Sequence, residues 1–118
     1  MKTKQVIDAL GALAHEYRLR AYRLLVAAGP DGLNAGTIAQ RLGLVPSSLT
    51  FHLQGLQRAG LIAQTRDSRQ LIYTADFEAM NGLVGYLTEN CCGGASCAPA
   101  GTPVRRVKRA AKKSATTV

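Results

Sequence analysis

Hydrophobic positions recur with a helical period over the first part of the chain. Val6, Leu10 and Leu13 are spaced three or four residues apart, which predicts a first helix over residues 3–13. Apolar residues continue at the same spacing over residues 16–28 and predict a second helix there. A segment with two glycines and a proline follows, and such a segment ends a helix and turns the chain.

Two short helices are predicted next. Ile38 and Leu42 lie four residues apart and are followed by a glycine, which indicates a helix over residues 35–42. Pro46 suits the first position of a helix, so the following helix is predicted over residues 46–59. Two short helices joined by a tight, glycine-containing turn have the form of a helix-turn-helix.

The hydrophobic period changes to that of β-strands beyond the fourth helix. Residues 61–66 and 71–74 are β-prone runs that flank the polar residues 67–70, so a hairpin is predicted. A last helix is predicted to begin after Asp76, a good N-cap, and to end near Asn90. The predicted fold is therefore mainly α: a winged helix-turn-helix with five helices and a two-stranded wing.

The fourth predicted helix has two distinct faces. Leu49, Leu53 and Leu56 fall within about 60° of one another on a helical wheel and should be core. Phe51 faces outward, where a phenylalanine is costly unless something covers it, and a thymine methyl is one cover that a DNA groove offers. Short hydroxyls, an amide and a guanidinium also suit a helix in the major groove. The candidate DNA-binding residues of this helix are Ser47, Ser48, Thr50, Phe51, Gln54 and Arg58.

The hairpin adds a second candidate DNA contact. Arg66, Arg69 and Gln70 lie near its tip, where a β-wing could reach the neighbouring DNA backbone. The alternative to a DNA-binding role is that the fourth helix is an ordinary amphipathic helix in which Phe51 packs on the hairpin. His52 lies near the leucine face, so we interpret it as a packed or hydrogen-bonded histidine rather than a ligand.

The net charge of +8 is concentrated at the end of the chain. Residues 98–118 hold six of the 15 basic residues and no acidic one, which leaves a net charge of only +2 for residues 1–97. The expected organisation is a DNA-binding and dimerisation domain with a thiol site over residues 1–97 and a basic disordered tail over residues 98–118. The tail suggests a polyanionic partner, because Lys and Arg replace counterions along phosphates. A merely solubilising tail is the alternative.

Three stretches together carry a resemblance to a known family. They are "LAHEYRLRAYRLL", "IAQRLGLVPSSLTFHLQGLQRAGLI" and "RDSRQLIYTAD", and they resemble the ArsR family of winged-helix, metal-responsive repressors. The match covers residues 6–87. The resemblance implies a homodimer built from the first and last helices, an operator read by the helix after the turn, and release of DNA when an inducer binds.

The chain departs from the family's best-described arsenic repressors in where its thiols lie. Those proteins carry cysteines at the start of the helix before the turn, whereas residues 33–38 of this chain contain none. All three thiols, Cys91, Cys92 and Cys97, fall within seven residues after the last predicted helix. A smaller branch of the family, with adjacent cysteines and a third one shortly after the last helix, resembles this chain better.

Three clustered thiols suit a soft ion. Trivalent arsenic accepts three sulfurs, antimony does likewise, and thiolates select soft ions generally. Zinc or cadmium is a weaker candidate because zinc prefers four ligands and only Glu89 is near enough to be the fourth. The other interpretations are a redox switch through a disulfide and three incidental surface cysteines.

Other classes of protein fit the sequence poorly. No cysteine begins the Cys-x5-Arg loop of arsenate reductases, no phosphate-binding loop of the Walker type is present, and neither histidine lies in a catalytic motif, so no enzyme is expected. No apolar run approaches the roughly 20 residues of a membrane span, and nothing near Met1 resembles a secretory signal. The sequence therefore predicts a cytoplasmic, homodimeric repressor that binds double-stranded operator DNA and is induced by arsenite, with antimonite a second inducer.

Overall fold

The structure is a computed structural model that describes residues 1–94. Cys97 and the predicted basic tail lie outside these residues. The described residues divide between two units, one over Met1–Tyr86 and one that begins at Leu87. The first unit contains the helix-turn-helix and the wing. The described part of the second contains the end of the last helix and a short 3-10 turn over Cys91–Gly94.

All five predicted helices are confirmed, with ends within two residues of those predicted. They alternate along the chain with three strands, and a further 3-10 turn occupies Gly29–Asp31. The elements in chain order are α1 (Thr3–Leu13), α2 (Glu16–Ala28), β1 (Leu33–Asn34), α3 (Ala35–Leu42), α4 (Pro46–Arg58), β2 (Ile62–Asp67), β3 (Gln70–Ala75) and α5 (Phe77–Thr88).

The sheet has one strand more than predicted. Strands β2 and β3 form the antiparallel wing, with Asp67 opposite Gln70, so the turn between them is shorter than the four polar residues suggested. Strand β1 pairs antiparallel with the other side of β3, with Leu33 opposite Tyr73, which gives the order β1-β3-β2. A two-residue strand has no alternation to detect, and for that reason the sequence pattern did not reveal it.

Side chains cap the start of α3, the first helix of the helix-turn-helix, and the start of α5, the helix that follows the wing. The Oδ1 atom of Asn34 accepts a hydrogen bond of 2.8 Å from the backbone N–H of Thr37 at the start of α3. Asp76 does the same for Ala79 in α5 at 3.0 Å, as predicted for an N-cap aspartate. Gly43 ends α3 in the left-handed conformation, with φ of 69°, which glycine adopts without steric cost.

The hydrophobic core of the first unit is formed by residues of all five helices and of the sheet. Its largest fully buried side chains are five leucines and one isoleucine, and burying each stabilises the fold by about 1.5–3 kcal/mol. The three leucines predicted for the inner face of α4 are among them. The six residues are Leu25, Ile38, Leu49, Leu53, Leu56 and Leu61.

Helices α1 and α5 keep large aliphatic side chains outside this core. Ile7 is 63% exposed and Leu87 is 59% exposed. The hydroxyl groups of Thr3 on α1 and Tyr86 on α5 form a hydrogen bond of 2.6 Å, so the two helices are neighbours. We name the exposed residues Ile7, Leu10 and Val84 the aliphatic face.

Candidate nucleic-acid interface and thiol segment

One side of α4 is open to solvent along its whole length. Phe51 is 58% exposed, whereas the inward Leu49 and Leu53 are each 1% exposed. The six candidate DNA-binding residues of this helix are all exposed, and we call them the recognition face: Ser47, Ser48, Thr50, Phe51, Gln54 and Arg58. The sequence pattern therefore placed them correctly on one outward side of the helix.

Phe51 lies in a polar setting rather than against the hairpin. Its ring meets the His52 ring edge-on at 5.6 Å between centroids. The guanidinium carbon of Arg18, on α2, lies 5.4 Å from the centroid of the Phe51 ring. Because Phe51 is exposed and stands outside the core cluster, the interpretation in which it packs on the hairpin is not supported.

The hydroxyl of Thr50 already has a partner within α4. Its Oγ1 atom donates to the backbone carbonyl of Pro46 over 2.9 Å. The lone pairs of that oxygen remain as acceptors, so Thr50 can accept a hydrogen bond from a base amino group but has already used its proton.

Two histidines and an arginine meet where α2 approaches α4. Arg18 donates through Nε to Nδ1 of His52 over 3.4 Å, and the rings of His15 and His52 are 4.5 Å apart. His15 also caps α2, because its Nδ1 atom accepts from the backbone N–H of Tyr17. Burial lowers the pKa of His52 below its ordinary value, and the nearby His15 and Arg18 lower it further. The hydrogen bond and the lowered pKa both favour a neutral His52.

Gly55 makes the close approach of Arg18 possible. A Cβ atom at this position would lie 2.5 Å from the guanidinium carbon of Arg18, which is far inside van der Waals contact. Gly55 is buried although it lies within about 40° of Phe51 around the helix. The guanidinium of Arg18 therefore sits on the edge of the recognition face.

The wing residues are brought together at the tip of the hairpin. Arg66 and Asp67 end β2, Gln70 begins β3, and Arg69 is in the turn between them. All of these residues are exposed. The placement of Arg66, Arg69 and Gln70 agrees with the predicted wing tip, and their contact with DNA stays a prediction.

Cys91 and Cys92 are exposed and adjacent in the 3-10 turn that follows α5, and we call Cys91–Gly94 the thiol segment. Their Sγ atoms are 3.6 Å apart. Cys92 has a φ of 58°, a left-handed conformation that costs a non-glycine residue roughly 1–2 kcal/mol. Within residues 1–94, no three His, Cys, Asp or Glu side chains are grouped as a metal site. The third predicted ligand, Cys97, lies beyond these residues.

Comparison with known proteins places these features in a family. A helix-turn-helix domain model matches residues 13–65. The HTH-type transcriptional regulator YgaV of Escherichia coli is 30% identical over 89 residues, which is 75% of this chain and 88% of YgaV. The homodimeric winged helix-turn-helix domain Mb0332 from Mycobacterium bovis, a possible ArsR-family regulator, superposes with a TM-score of 0.58 at 25% identity, over 80% of this chain and 87% of that one. The chain belongs to the ArsR family of transcriptional regulators.

A further solved structure has a similar fold. A possible transcriptional regulator for arsenical resistance superposes on this ArsR-family chain with a TM-score of 0.60 at 25% identity, covering 68% of this chain and 80% of that one. These relatives are transcriptional regulators and not enzymes, as expected for this ArsR-family chain. Among residues 1–94, every helix is too short or too polar to cross a membrane.

The sequence reasoning missed Arg18 and Gly55 in this ArsR-family regulator. One signal was available, because a glycine inside a helix costs about 1 kcal/mol relative to alanine and usually has a packing reason. Nothing in the spacing of residues shows that the packing partner is Arg18, which is 37 positions earlier.

Proposed function

We propose that this ArsR-family regulator is a homodimeric repressor that binds operator DNA through α4 and the wing and releases it when trivalent arsenic binds the three thiols. The observation that carries the arsenic assignment is the 3.6 Å separation of the Cys91 and Cys92 sulfurs. The exposed recognition face of α4 carries the DNA assignment.

The recognition face supplies the kinds of group that read base edges. Gln54 can pair with adenine through its amide, and Ser47 can bond a base or a phosphate. Phe51 gives an apolar surface for a thymine methyl. Arg66 and Arg69 at the wing tip supply charge for the adjacent backbone, where contacts fix orientation without reading sequence.

The aliphatic face is the proposed dimer surface. Exposed leucine, isoleucine and valine side chains on neighbouring helices lose water favourably against an apolar partner. The homodimeric state of the Mb0332 domain supports the same arrangement here. Because a two-fold dimer presents two recognition helices about one DNA turn apart, the operator should be dyad-symmetric.

The two adjacent sulfurs have a separation that suits a shared soft ion. With bonds of about 2.3 Å, the usual zinc–sulfur length, sulfurs 3.6 Å apart subtend an angle of about 103° at a shared atom. That angle suits a pyramidal ion that keeps a lone pair. Cys97, five residues after Cys92, would be the third ligand, and the glycines between them permit the chain to turn back.

Zinc and a redox switch fit the same segment less well. Zinc prefers four ligands, and only Glu89 is near enough in the sequence to be a fourth beside the three thiols. A disulfide between Cys91 and Cys92 would join adjacent Cα atoms about 3.8 Å apart, which is shorter than the roughly 4.4–6.8 Å that disulfides prefer. A bridging ion avoids this strain because it lengthens the link between the two sulfurs.

Inducer binding would act on DNA through the end of α5. Drawing Cys97 onto the pair changes the segment that directly follows the proposed dimer helix, and with it the spacing of the two recognition helices. Allosteric couplings are typically about 1–3 kcal/mol, which corresponds to roughly 5-fold to 150-fold in affinity. The similarity to a possible regulator for arsenical resistance supports this direction of response.

The decisive experiment is a titration of the reduced protein on its own upstream DNA with arsenite, antimonite, zinc, cadmium and peroxide in separate arms. Arsenite is expected to weaken operator binding by about 5-fold or more. Cys92→Ser and Cys97→Ser are expected to keep the basal affinity and lose the response. Release by peroxide alone would establish a redox sensor instead. An arsenite response that survives in Cys92→Ser would overturn the thiol site.

A further inference from the structure

We propose that Arg18, seated on Gly55 of α4, acts with Arg58 as a two-arginine clasp for a backbone phosphate at the edge of the recognition face. This inference rests on the proposed DNA-binding role of α4 and adds a phosphate site to it. The ligand is a phosphodiester of the operator, which is read by charge and shape and not by base sequence.

The two arginines line one concavity. It measures about 360 Å³, and its wall includes Arg18 on α2, Gly55 and Arg58 at the end of α4. Small residues keep it open, because Gly11 and Ala12 of α1 form another part of its wall. A guanidinium pair around an open space suits an anion, since each guanidinium can donate two parallel hydrogen bonds to phosphate oxygens.

The guanidinium of Arg18 is held in position before any ligand arrives. Its Nε atom donates to His52, its central carbon lies 5.4 Å from the centroid of the Phe51 ring, and Gly55 leaves space for it. Because the bond to His52 uses Nε, the two terminal NH2 groups are the donors that can receive a phosphate. An arginine already ordered in this way loses less side-chain entropy on binding.

Neither arginine is committed to a carboxylate in the described residues. The ion pairs within residues 1–94 join Lys4 to Asp8 and Arg20 to Glu16. Asp8 does line the concavity, and its charge opposes an anion. Lys4 Nζ lies 3.4 Å from an oxygen of Asp8, which partly offsets that charge.

The test measures how operator affinity depends on salt in Arg18→Ala, Gly55→Ala and the control Arg23→Ala. Arg23 is on α2 too, but lines a different concavity with Arg20 and Arg41. Each lost phosphate contact should reduce the slope of log affinity against log salt by about one. Arg18→Ala is expected to do so and to weaken binding about 3-fold to 10-fold at roughly physiological salt, whereas Arg23→Ala should change neither.

Gly55→Ala keeps the charge of Arg18 but displaces its guanidinium. The variant therefore distinguishes the effect of the position of Arg18 from the effect of the net charge of the protein. Alanine suits a helix better than glycine, and the added Cβ meets the movable end of a side chain, so the variant should fold. It is expected to reproduce the Arg18→Ala loss of affinity and slope. If Gly55→Ala binds like the parent, or if Arg23→Ala lowers the slope as much as Arg18→Ala, the clasp is refuted.

A fourth variant separates this inference from the proposed function. Gln54→Ala should weaken binding to the operator but not to an unrelated duplex. If it leaves operator preference unchanged, the DNA-reading role of α4 fails. If operator preference falls while Arg18→Ala keeps the parent salt slope, the clasp alone fails.

Discussion

The recognition face and the aliphatic face both expose large hydrophobic residues, but they differ in what surrounds those residues. On α4, Phe51 has an arginine near its ring and serines, a threonine and a glutamine beside it. On α1, Ile7 and Leu10 are exposed aliphatic residues, and Val84 is another on α5. A hydrophobic residue among polar and cationic groups suits a charged, hydrated partner such as DNA, whereas an aliphatic stripe suits another aliphatic stripe.

The comparison therefore separates two kinds of exposure that sequence hydrophobicity alone does not distinguish. An exposed phenylalanine and an exposed isoleucine are each ordinary when counted singly. The neighbouring side chains decide the chemistry of the partner, and those neighbours come from other helices.

The largest expected effect is the loss of the dimer when charge enters the aliphatic face. Ile7→Glu would bury a carboxylate at the proposed seam, so sedimentation should show a monomer. Operator affinity should fall by about 100-fold or more, because the second half-site no longer benefits from the linked first one. Leu19→Glu, an exposed leucine of α2 outside this face, is the matched control. A dimer that persists in Ile7→Glu would place the seam elsewhere.

Truncation within the recognition face should have a smaller and more selective effect. Phe51→Ala removes the only aromatic of that face and should weaken operator binding by roughly 5-fold to 150-fold, the range of one specific base contact. Binding to an unrelated duplex should hardly change, and anisotropy titrations on both duplexes measure the difference. Equal losses on the two duplexes would show that Phe51 does not read bases.

The wing tip should contribute less than α4 and without base preference. Arg69→Ala should weaken binding to specific and unrelated duplexes alike by a few-fold, and reduce the salt slope by about one. Gln64→Ala is a control on the same hairpin, since its amide donates to the Tyr73 hydroxyl at 2.9 Å away from the tip. An unchanged salt slope in Arg69→Ala would exclude a phosphate contact there.

The smallest expected effect is a pH dependence of stability from His52. Its folded pKa is lowered from 6.5, first by burial and then by His15 and Arg18, so the unfolded chain takes up a proton at a higher pH than the folded chain does. Stability from this group is therefore complete above about pH 6.5 and is lost as pH falls through the lower folded pKa. Melting temperatures between about pH 7.5 and pH 5 should fall less for His52→Gln than for the parent, and parallel curves would contradict this.

The helices could be predicted because each has several apolar residues at regular spacing. Asp76 and Pro46 also marked helix starts through local chemistry, so their positions needed no tertiary information. The outward side of α4 followed from the position of its leucines. These features are all determined by residues close together in the chain.

The features that could not be predicted depend on contacts between distant residues. Strand β1 is defined by its pairing with β3 and has only two residues. The contact between Arg18 and Gly55 joins α2 to α4. The position of Arg18 on a helical wheel does not predict this contact. The adjacency of Cys91 and Cys92 was evident from the sequence, but the distance between their sulfurs depends on the left-handed backbone at Cys92.

Asn34 limits how the hairpin and α3 can move relative to each other. Asn34 pairs with Ile72 in the sheet and caps α3 through its side chain. No linker therefore separates the sheet from α3, the first helix of the helix-turn-helix. We therefore expect the hairpin and α3 to move together. Adaptation to an operator with a different spacing of its half-sites is then expected to come from rotation of whole subunits, and not from a change in the angle of the hairpin alone.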